Sequence, residues 1–312
     1  MHPIYPKALA YIFWNVTIIF VVTKAEKRER VNVVTQTIAF LGAGSMAEAM
    51  ISGMVQSDLV TPSQIIVSNR SNTNRLNELK YKYGIQAQKR EDLDFATIDL
   101  FVLAMKPKDI DSVLESLRPH LNPHQTIISV LAGITTSHME SHLPEKQQVI
   151  RVMPNTSSMI GESATAIAPG AHAPKDRIYL TKSLMESFGE AYIIDEAHMD
   201  IFTGIAGSGP AYFYNLMEHM EQAGIEAGLD GELARSIGAQ TILGAAKMIQ
   251  EREETPTELR ENVTSPNGTT AAGLNALDLH GGGKAVSAAI KGAASRSKEM
   301  SKQAEQPLVA TN

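Results

Sequence analysis

The chain has 312 residues, a formal net charge of −6, 43% apolar and 20% charged residues, and no cysteine. That length accommodates two domains with sizeable cores, and the apolar and charged fractions are those of an ordinary soluble globular protein. The charge leaves no electrostatic footprint for nucleic acid, and the missing thiols exclude disulfides, thiolate nucleophiles and Cys-ligated metals.

Residues 1–35 do not match the rest of the chain. Ala8 to Val22 is an apolar run interrupted by Asn15 and Thr17, followed by a charged segment from Lys24 to Arg30. The run is short of the roughly 20 residues that a membrane span needs, and the basic cluster lies on the wrong side of it for a signal peptide. We expect an extension outside the fold, with upstream translated sequence as the first reading and a short membrane anchor as the alternative. The compact part is expected to begin near Thr35.

From Thr37 to Asp195 strand and helix patterns alternate, which predicts a parallel sheet covered by helices. Strands are expected at 37–41, 65–68, 99–105, 126–131, 148–153, 164–167 and 191–194. Helices are expected at 45–57, 72–83, 107–117, 135–142 and 175–188, with Pro107 at a first helical position and Ser71 or Asn72 as a cap. The first strand runs directly into Gly42-Ala43-Gly44-Ser45-Met46-Ala47 and then an alanine-rich helical pattern. This strand, glycine turn and helix start is the setting of a dinucleotide fingerprint of the form G-x-G-x-x-A. Gly42 allows the tight turn, Gly44 lets a pyrophosphate approach the backbone, and Ala47 keeps the helix close to the strand. The helix start supplies free N–H groups and a partial positive charge.

The second strand ends in Asn69-Arg70-Ser71. An acidic residue in this region would suit ribose hydroxyls, whereas Arg70 suits a 2′-phosphate, so NADPH is favoured over NADH. A solvated surface arginine is the competing reading. Ala104-Met105-Lys106-Pro107, Ser129 to Gly133, and Met153 to Thr156 close three further strands on the edge where open α/β sheets bind ligands. Lys106 reads equally as an ordinary exposed lysine.

After Asp195 the strand signals stop. Residues 196–303 read as helices rich in alanine, glycine and methionine, with breaks near Gly207–Pro210, Gly228–Gly231, Thr255-Pro256, Ser265–Gly268 and Gly281–Gly283. Tyr212, Leu216, Met220 and Ala223 form a stripe suited to a core or an interface, and a partner chain would stabilise helices so poor in aromatics. Ser265-Pro266-Asn267-Gly268 is a turn leading into a helix that begins Thr269-Thr270. Alone it reads first as a capped helix start, although such a start can also hold a carboxylate. Gly281-Gly282-Gly283-Lys284 lacks the spacing of a phosphate loop and reads as an inter-helix turn. His138 and His142 are four apart, with no carboxylate constellation beside them in the sequence. We expect solvent-facing histidines and no metal site.

Together these segments resemble the pyrroline-5-carboxylate reductase family. The resemblance runs from about Thr37 to about Lys302. It is carried by GAGSMAEA from Gly42, AMKP from Ala104, SVLAGI from Ser129, RVMPNT from Arg151, GIAGSGPAY from Gly204, GAQTILGAAKM from Gly238 and NVTSPNGTTAAGL from Asn262. It implies a Rossmann-type doubly wound α/β sheet (36–195, NAD(P)-binding), an all-α dimerisation and substrate-binding domain (196–303) and a flexible tail (304–312). It implies a cytoplasmic enzyme that reduces Δ1-pyrroline-5-carboxylate to L-proline with NADPH, or NADH, working as homodimers that assemble further into decamers. Carried over by position, Gly42, Ala43, Gly44, Ser45, Met46, Ala47, Asn69, Arg70, Ala104, Met105, Lys106, Pro107, Leu131, Ala132 and Gly133 contact the cofactor. Asn262, Gly268, Thr269 and Thr270 hold the substrate carboxylate, with Thr270 near the ring nitrogen as the catalytic candidate. Glu196 lines the substrate pocket, and Ser265 and Asn155 support its wall. Asn267 stands where the signature commonly has glycine, and asparagine tolerates the left-handed backbone such a turn needs. Ser157 replaces a common proline; neither change removes a reacting group.

The chemistry suits these residues. A protonated iminium already carries its proton, so placement against the nicotinamide matters more than a strong acid. A hydroxyacid-type dehydrogenase would call for a base in the helical half, and Lys247 has no motif around it. A catalytically silent dinucleotide sensor would not need the Thr269-Thr270 carboxylate grip.

Overall fold

A computed structural model describes residues 34–304. The apolar run Ala8–Val22, the charged segment after it and, apart from Ala304, the tail lie outside the described residues. Val34 is already part of the fold: it is buried, and its N–H donates to the Leu59 carbonyl at 3.0 Å.

Eight strands form one sheet: β1 (Ile38–Leu41), β2 (Ile65–Asn69), β3 (Gln86–Lys89), β4 (Leu100–Leu103), β5 (Thr126–Ser129), β6 (Gln148–Met153), β7 (Ser163–Pro169) and β8 (Gly189–Ile193). Their order is β3-β2-β1-β4-β5-β6-β7-β8, so the sheet reverses direction of travel between β1 and β4. This is the doubly wound Rossmann plan, in which ligands lie beyond the carboxyl ends of the strands at that reversal. All neighbouring pairs are parallel except β6 and β7. The expected all-parallel sheet is thus corrected at one pair. Residues 154–162 make a short return with a single tight turn at Thr156–Ile160, and no crossover helix intervenes to restore the direction.

Strand residues alternate between two cores. Ile38, Phe40, Val67, Val102, Ile128 and Val152 face one side. There they meet Ala47, Met50 and Met54 of α1 (Ser45–Gln56), Leu76 and Leu79 of α2 (Thr73–Tyr83), and Leu184 and Met185 of α5 (Lys175–Glu186). Ala39, Leu41, Phe101, Leu103 and Ile127 face the other, under Ile110, Leu114 and Leu117 of α3 (Ile110–Leu117) and Met139 of α4 (Thr136–His142). Each strand buried on both faces reads as a continuous apolar run, as parallel sheets require.

Beyond β8 the chain is helical: α6 (Met199–Phe202), α7 (Gly209–Glu226), α8 (Gly231–Glu251), α9 (Pro256–Asn262), α10 (Thr269–Leu279) and α11 (Gly282–Ala304). Helices α7 and α8 form a hairpin, pinned by paired hydrogen bonds from Arg235 to Glu221 at 2.8 and 2.6 Å. Close approach there uses Gly238 against Met217 and Gly224 against Ala234. Helix α11 packs back on α6, where the Ser297 hydroxyl donates to Asp200 at 2.7 Å, and reaches the sheet domain where Met300 packs on Gly133. The hairpin itself stays largely uncovered. Of the 21 residues of α8 only Ala234 and Gly238 are buried, while Leu233, Ile237, Leu243 and Ile249 remain about half exposed. No described helix is long and apolar enough to cross a membrane.

Candidate active site

The turn after β1 is built by a steric constraint. Gly42 takes φ 125°, its N–H donates to the Ser68 carbonyl at 2.8 Å, and a Cβ on it would collide with the Ala104 carbonyl. Only glycine lets the ends of β1 and β4 close in this way. Gly44 then caps α1 with an extended backbone and no side-chain hydrogen bond, and Gly44 and Ser45 are exposed. The first N–H groups of a twelve-residue helix therefore have no capping side chain, an arrangement suited to a phosphate.

A cleft of about 1440 Å³ opens over this turn, walled by residues between Leu41 and Ser116. Of the expected cofactor residues, Gly42, Ala43, Gly44, Ser45, Met46, Asn69, Arg70, Ala104, Met105 and Lys106 stand in the wall. Ala47 is buried beneath it in the core. Pro107, Leu131, Ala132 and Gly133 are not part of the wall, and Gly133, at φ 76°, is covered by Met300. Arg70 is exposed and makes no ion pair among the described residues. The wall also contains residues that sequence reasoning missed: Lys89 and Arg90 at the end of β3, and Ser112 and Ser116 of α3. Arg90 donates to the Ser116 hydroxyl at 2.8 Å. The strand that brings Lys89 and Arg90 here has no buried residue and hence no apolar pattern to reveal it.

One face of the cleft is held by Glu48. Its carboxylate pairs with Arg75, accepts from Lys82 Nζ at 2.8 Å and from the Tyr83 hydroxyl at 2.9 Å, and so joins α1 to α2. Arg75 Nε also donates to the Ala43 carbonyl at 3.1 Å, inside the glycine turn. Lys82 above all, with Arg75 and Tyr83, outweighs partial burial and lowers the Glu48 pKa to about 2.

The expected substrate residues lie elsewhere. Helix α9 ends at Asn262, Asn267 adopts φ 58°, and the Gly268 N–H donates to the Ser265 carbonyl at 3.0 Å. The asparagine thus holds the left-handed position of the turn. Helix α10 begins at Thr269 with Gly268 as its cap and no side-chain hydrogen bond to its N–H groups. Asn262, Ser265, Thr269 and Thr270 are exposed, Gly268 is partly so, and none of them stands in the wall of the cleft of the same chain. Glu196 accepts from the Thr136 N–H at 2.9 Å, from the Thr136 hydroxyl, and from Arg151 at 3.2 Å. Asn155 donates to the Ala206 carbonyl at 3.0 Å, tying the end of β6 to the turn before α7. Glu196 and Asn155 therefore sit at the joint between sheet and helices, and among the described residues no hydrogen bond or ion pair links the loop before α10 to either.

The histidine expectation is corrected. His138 is not solvent-facing: its side chain is 7% exposed, and its Nε2 lies 2.7 Å from Asp111 Oδ1. The His142 ring lies beside it, tilted by 39° with ring centroids 4.6 Å apart. The carboxylate comes from α3, 27 residues earlier in the chain, where no local spacing rule could find it.

Strand order, glycine turn and open helix start define the class: a Rossmann-type dinucleotide-binding protein with a helical second half. Comparison with known proteins narrows this. A family model described as pyrroline-5-carboxylate reductase dimerisation matches residues 196–300, and one described as NADP oxidoreductase, coenzyme F420-dependent, matches residues 37–133. The pyrroline-5-carboxylate reductase 1 of Bacillus subtilis (strain 168) is 57% identical over 91% of this chain and 96% of its own length. The solved pyrroline-5-carboxylate reductase of Coxiella burnetii superposes with a TM-score of 0.80 at 32% identity, covering 86% of this chain and 99% of that one. That of Plasmodium falciparum, solved with NADP bound, gives 0.77 at 27% identity, covering 86% and 100%. The chain belongs to the pyrroline-5-carboxylate reductase family, and its helical half is a dimerisation domain.

The Glu48 clamp has a pH signature. Its folded pKa of about 2 lies below the ordinary 4.5, so its contribution to stability is complete above about pH 4.5 and disappears as pH falls toward 2. Denaturant titrations at fixed protein concentration will show Glu48→Gln less stable than wild type at pH 6. The difference will shrink between pH 4.5 and 2.5; a gap that stays constant over that range would contradict the clamp.

Proposed function

We propose that this chain reduces Δ1-pyrroline-5-carboxylate to L-proline, the last step of proline biosynthesis, with NADPH in preference to NADH. The observation that carries the reading is the 57% identity to a named reductase over nearly its whole length, with the motifs of both halves intact. The reading includes a cytoplasmic location and association of dimers into decamers, both of which rest on the family resemblance.

Bound in the cleft, the nicotinamide would supply a hydride to the carbon of the substrate's C=N bond. The residues present fit such a dinucleotide. Gly42 makes the tight turn possible, Gly44 leaves open space for the pyrophosphate, and the open N–H groups of α1 meet its charge. Asn69 and Arg70 take the adenosine ribose, where a free guanidinium favours a 2′-phosphate. Ala104, Met105 and Lys106 flank the path toward the nicotinamide end, and Leu131, Ala132 and Gly133 shape the neighbouring strand end.

The substrate enters as an iminium with its nitrogen already protonated, so the protein must chiefly fix its carboxylate and its ring. Thr269 and Thr270, with the uncapped N–H groups of α10, Gly268 and Asn262, form a grip for a carboxylate that needs no buried cation. Thr270 orients the ring nitrogen and is the catalytic candidate, while Ser265, Asn155 and Glu196 hold the surrounding wall. Because this loop lies outside the wall of its own cleft, the reading assigns it to the cleft of a second copy. Each site is then shared by two chains.

In steady-state assays the purified protein will oxidise NADPH when pyrroline-5-carboxylate is supplied, and faster than NADH at low cofactor. Thr270→Ala removes one hydrogen bond to the reacting ring, worth about threefold to tenfold in kcat/KM, with little change in NADPH affinity. An unchanged rate would remove Thr270 from the mechanism. Arg70→Ala will raise the KM for NADPH by about tenfold or more and leave that for NADH nearly unaltered. Equal changes for the two cofactors would defeat the 2′-phosphate assignment.

A further inference from the structure

On the face of the sheet opposite α1, three side chains converge that the reductase reading does not use. Asp111 lies in the first turn of α3; His138 and His142 lie one helical turn apart on α4. The Nε2 atoms of both imidazoles approach the same carboxylate oxygen, Asp111 Oδ1, at 2.7 and 4.0 Å. All three donor atoms fall within 4.8 Å of one another. A tetrahedral ion with bonds of about 2.0–2.1 Å needs donors about 3.3 Å apart, a spacing these distances bracket.

We propose that Asp111, His138 and His142 form a binding site for a divalent transition-metal ion, zinc(II) being the best match to two imidazoles and one carboxylate. The His142 ring is oriented for this, with the Ser141 hydroxyl 3.1 Å from its Nδ1. Its Nδ1 also lies 2.9 Å from the His138 carbonyl oxygen, which can only accept; the tautomer with the proton on Nδ1 makes that hydrogen bond and turns the Nε2 lone pair toward Asp111. A hydrogen bond from the outer nitrogen of a ligating histidine to a carbonyl is the usual way such a ring is oriented. His138 is held by its buried surroundings, whereas Asp111 and His142 are 42% and 31% exposed, so an ion can enter and small rotations can close the geometry. Ligation through His138 Nε2 moves the proton of the neutral ring to Nδ1, its other tautomer, in place of the hydrogen bond to Asp111, and leaves a fourth position for water.

The ion would link α3 to α4. Both helices pack on the core that contains Leu103 and Leu131, next to the ends of β4 and β5. Its effect is therefore mechanical, stiffening the support of those strand ends, and it touches none of the residues assigned to cofactor or substrate.

The test uses the full-length, tag-free protein, freed of metal with a chelator and dialysed. Calorimetric titration with zinc chloride is expected to give one ion per chain. Cobalt(II) is expected to give visible absorption of the strength typical of four-coordinate sites. His142→Ala and Asp111→Asn, which alter opposite helices, should each weaken zinc binding by about tenfold or more and abolish the cobalt bands. Both variants should retain NADPH binding, which certifies their fold, and zinc should raise the Tm of wild type but not of the variants. Absence of stoichiometric zinc binding by the wild type, or binding unchanged in both variants, would overturn the site and leave a hydrogen-bonded His–Asp contact.

Discussion

A helix hairpin that cannot bury its own apolar side chains governs the rest of this molecule. Leu233, Ile237, Leu243, Met248 and Ile249 on α8, and Phe213, Tyr214 and Leu216 on α7, are each more than two-fifths exposed in one chain. Covering an apolar side chain of this size is worth about 1.5–3 kcal/mol when complete. A family of helices designated for dimerisation, occupying residues 196–300, accounts for that unburied surface. The loop before α10 is not in the wall of the cleft of its own chain, so under the proposed reading the same partner that covers the hairpin also completes the site.

The two halves are joined by a small polar knot. Arg151, at 2% exposure on β6, meets Glu196 just after the last strand, and Glu196 also accepts two hydrogen bonds from Thr136 at the start of α4. Two nitrogens of the Arg151 guanidinium have no partner among the described residues, so this single carboxylate is the main compensation for a buried charge. Removing one member of such a pair is far more costly than never having buried it. The knot, Asn155 and the return of α11 onto Gly133 together fix where the helical half departs from the sheet.

Much of this was legible in the sequence because the signals were local. Ile38–Leu41, Ile65–Ser68 and Leu100–Leu103 are apolar runs bounded by turns, and Gly42, Gly44 and Ala47 come after the first at the fingerprint's spacing. Asn267 could be assigned a left-handed turn from its chemistry, and it has one. What was missed depended on placement in space. Strand β3, Gln86–Lys89, lies at the sheet's edge with no buried residue, so it carries no apolar pattern, and Lys89 and Arg90 went unnoticed with it. Periodicity does not encode strand direction, which hid the antiparallel pairing of β7. Asp111 meets His138 and His142 only because β4 and β5 are neighbours.

Mixing two impaired variants measures the proposed shared site directly. Gly44→Asp places a carboxylate at the proposed pyrophosphate position, and Thr270→Ala combined with Thr269→Ala removes both hydroxyls of the proposed carboxylate grip. Each homodimer should be impaired. If cleft and loop come from different chains, random re-association at equal amounts restores about a quarter of the wild-type sites, because half the dimers are mixed and each holds one intact pair. Recovery of NADPH-dependent pyrroline-5-carboxylate reduction to about that level is the predicted result. A mixture that exchanges subunits, shown by mass, yet recovers no activity would contradict the account.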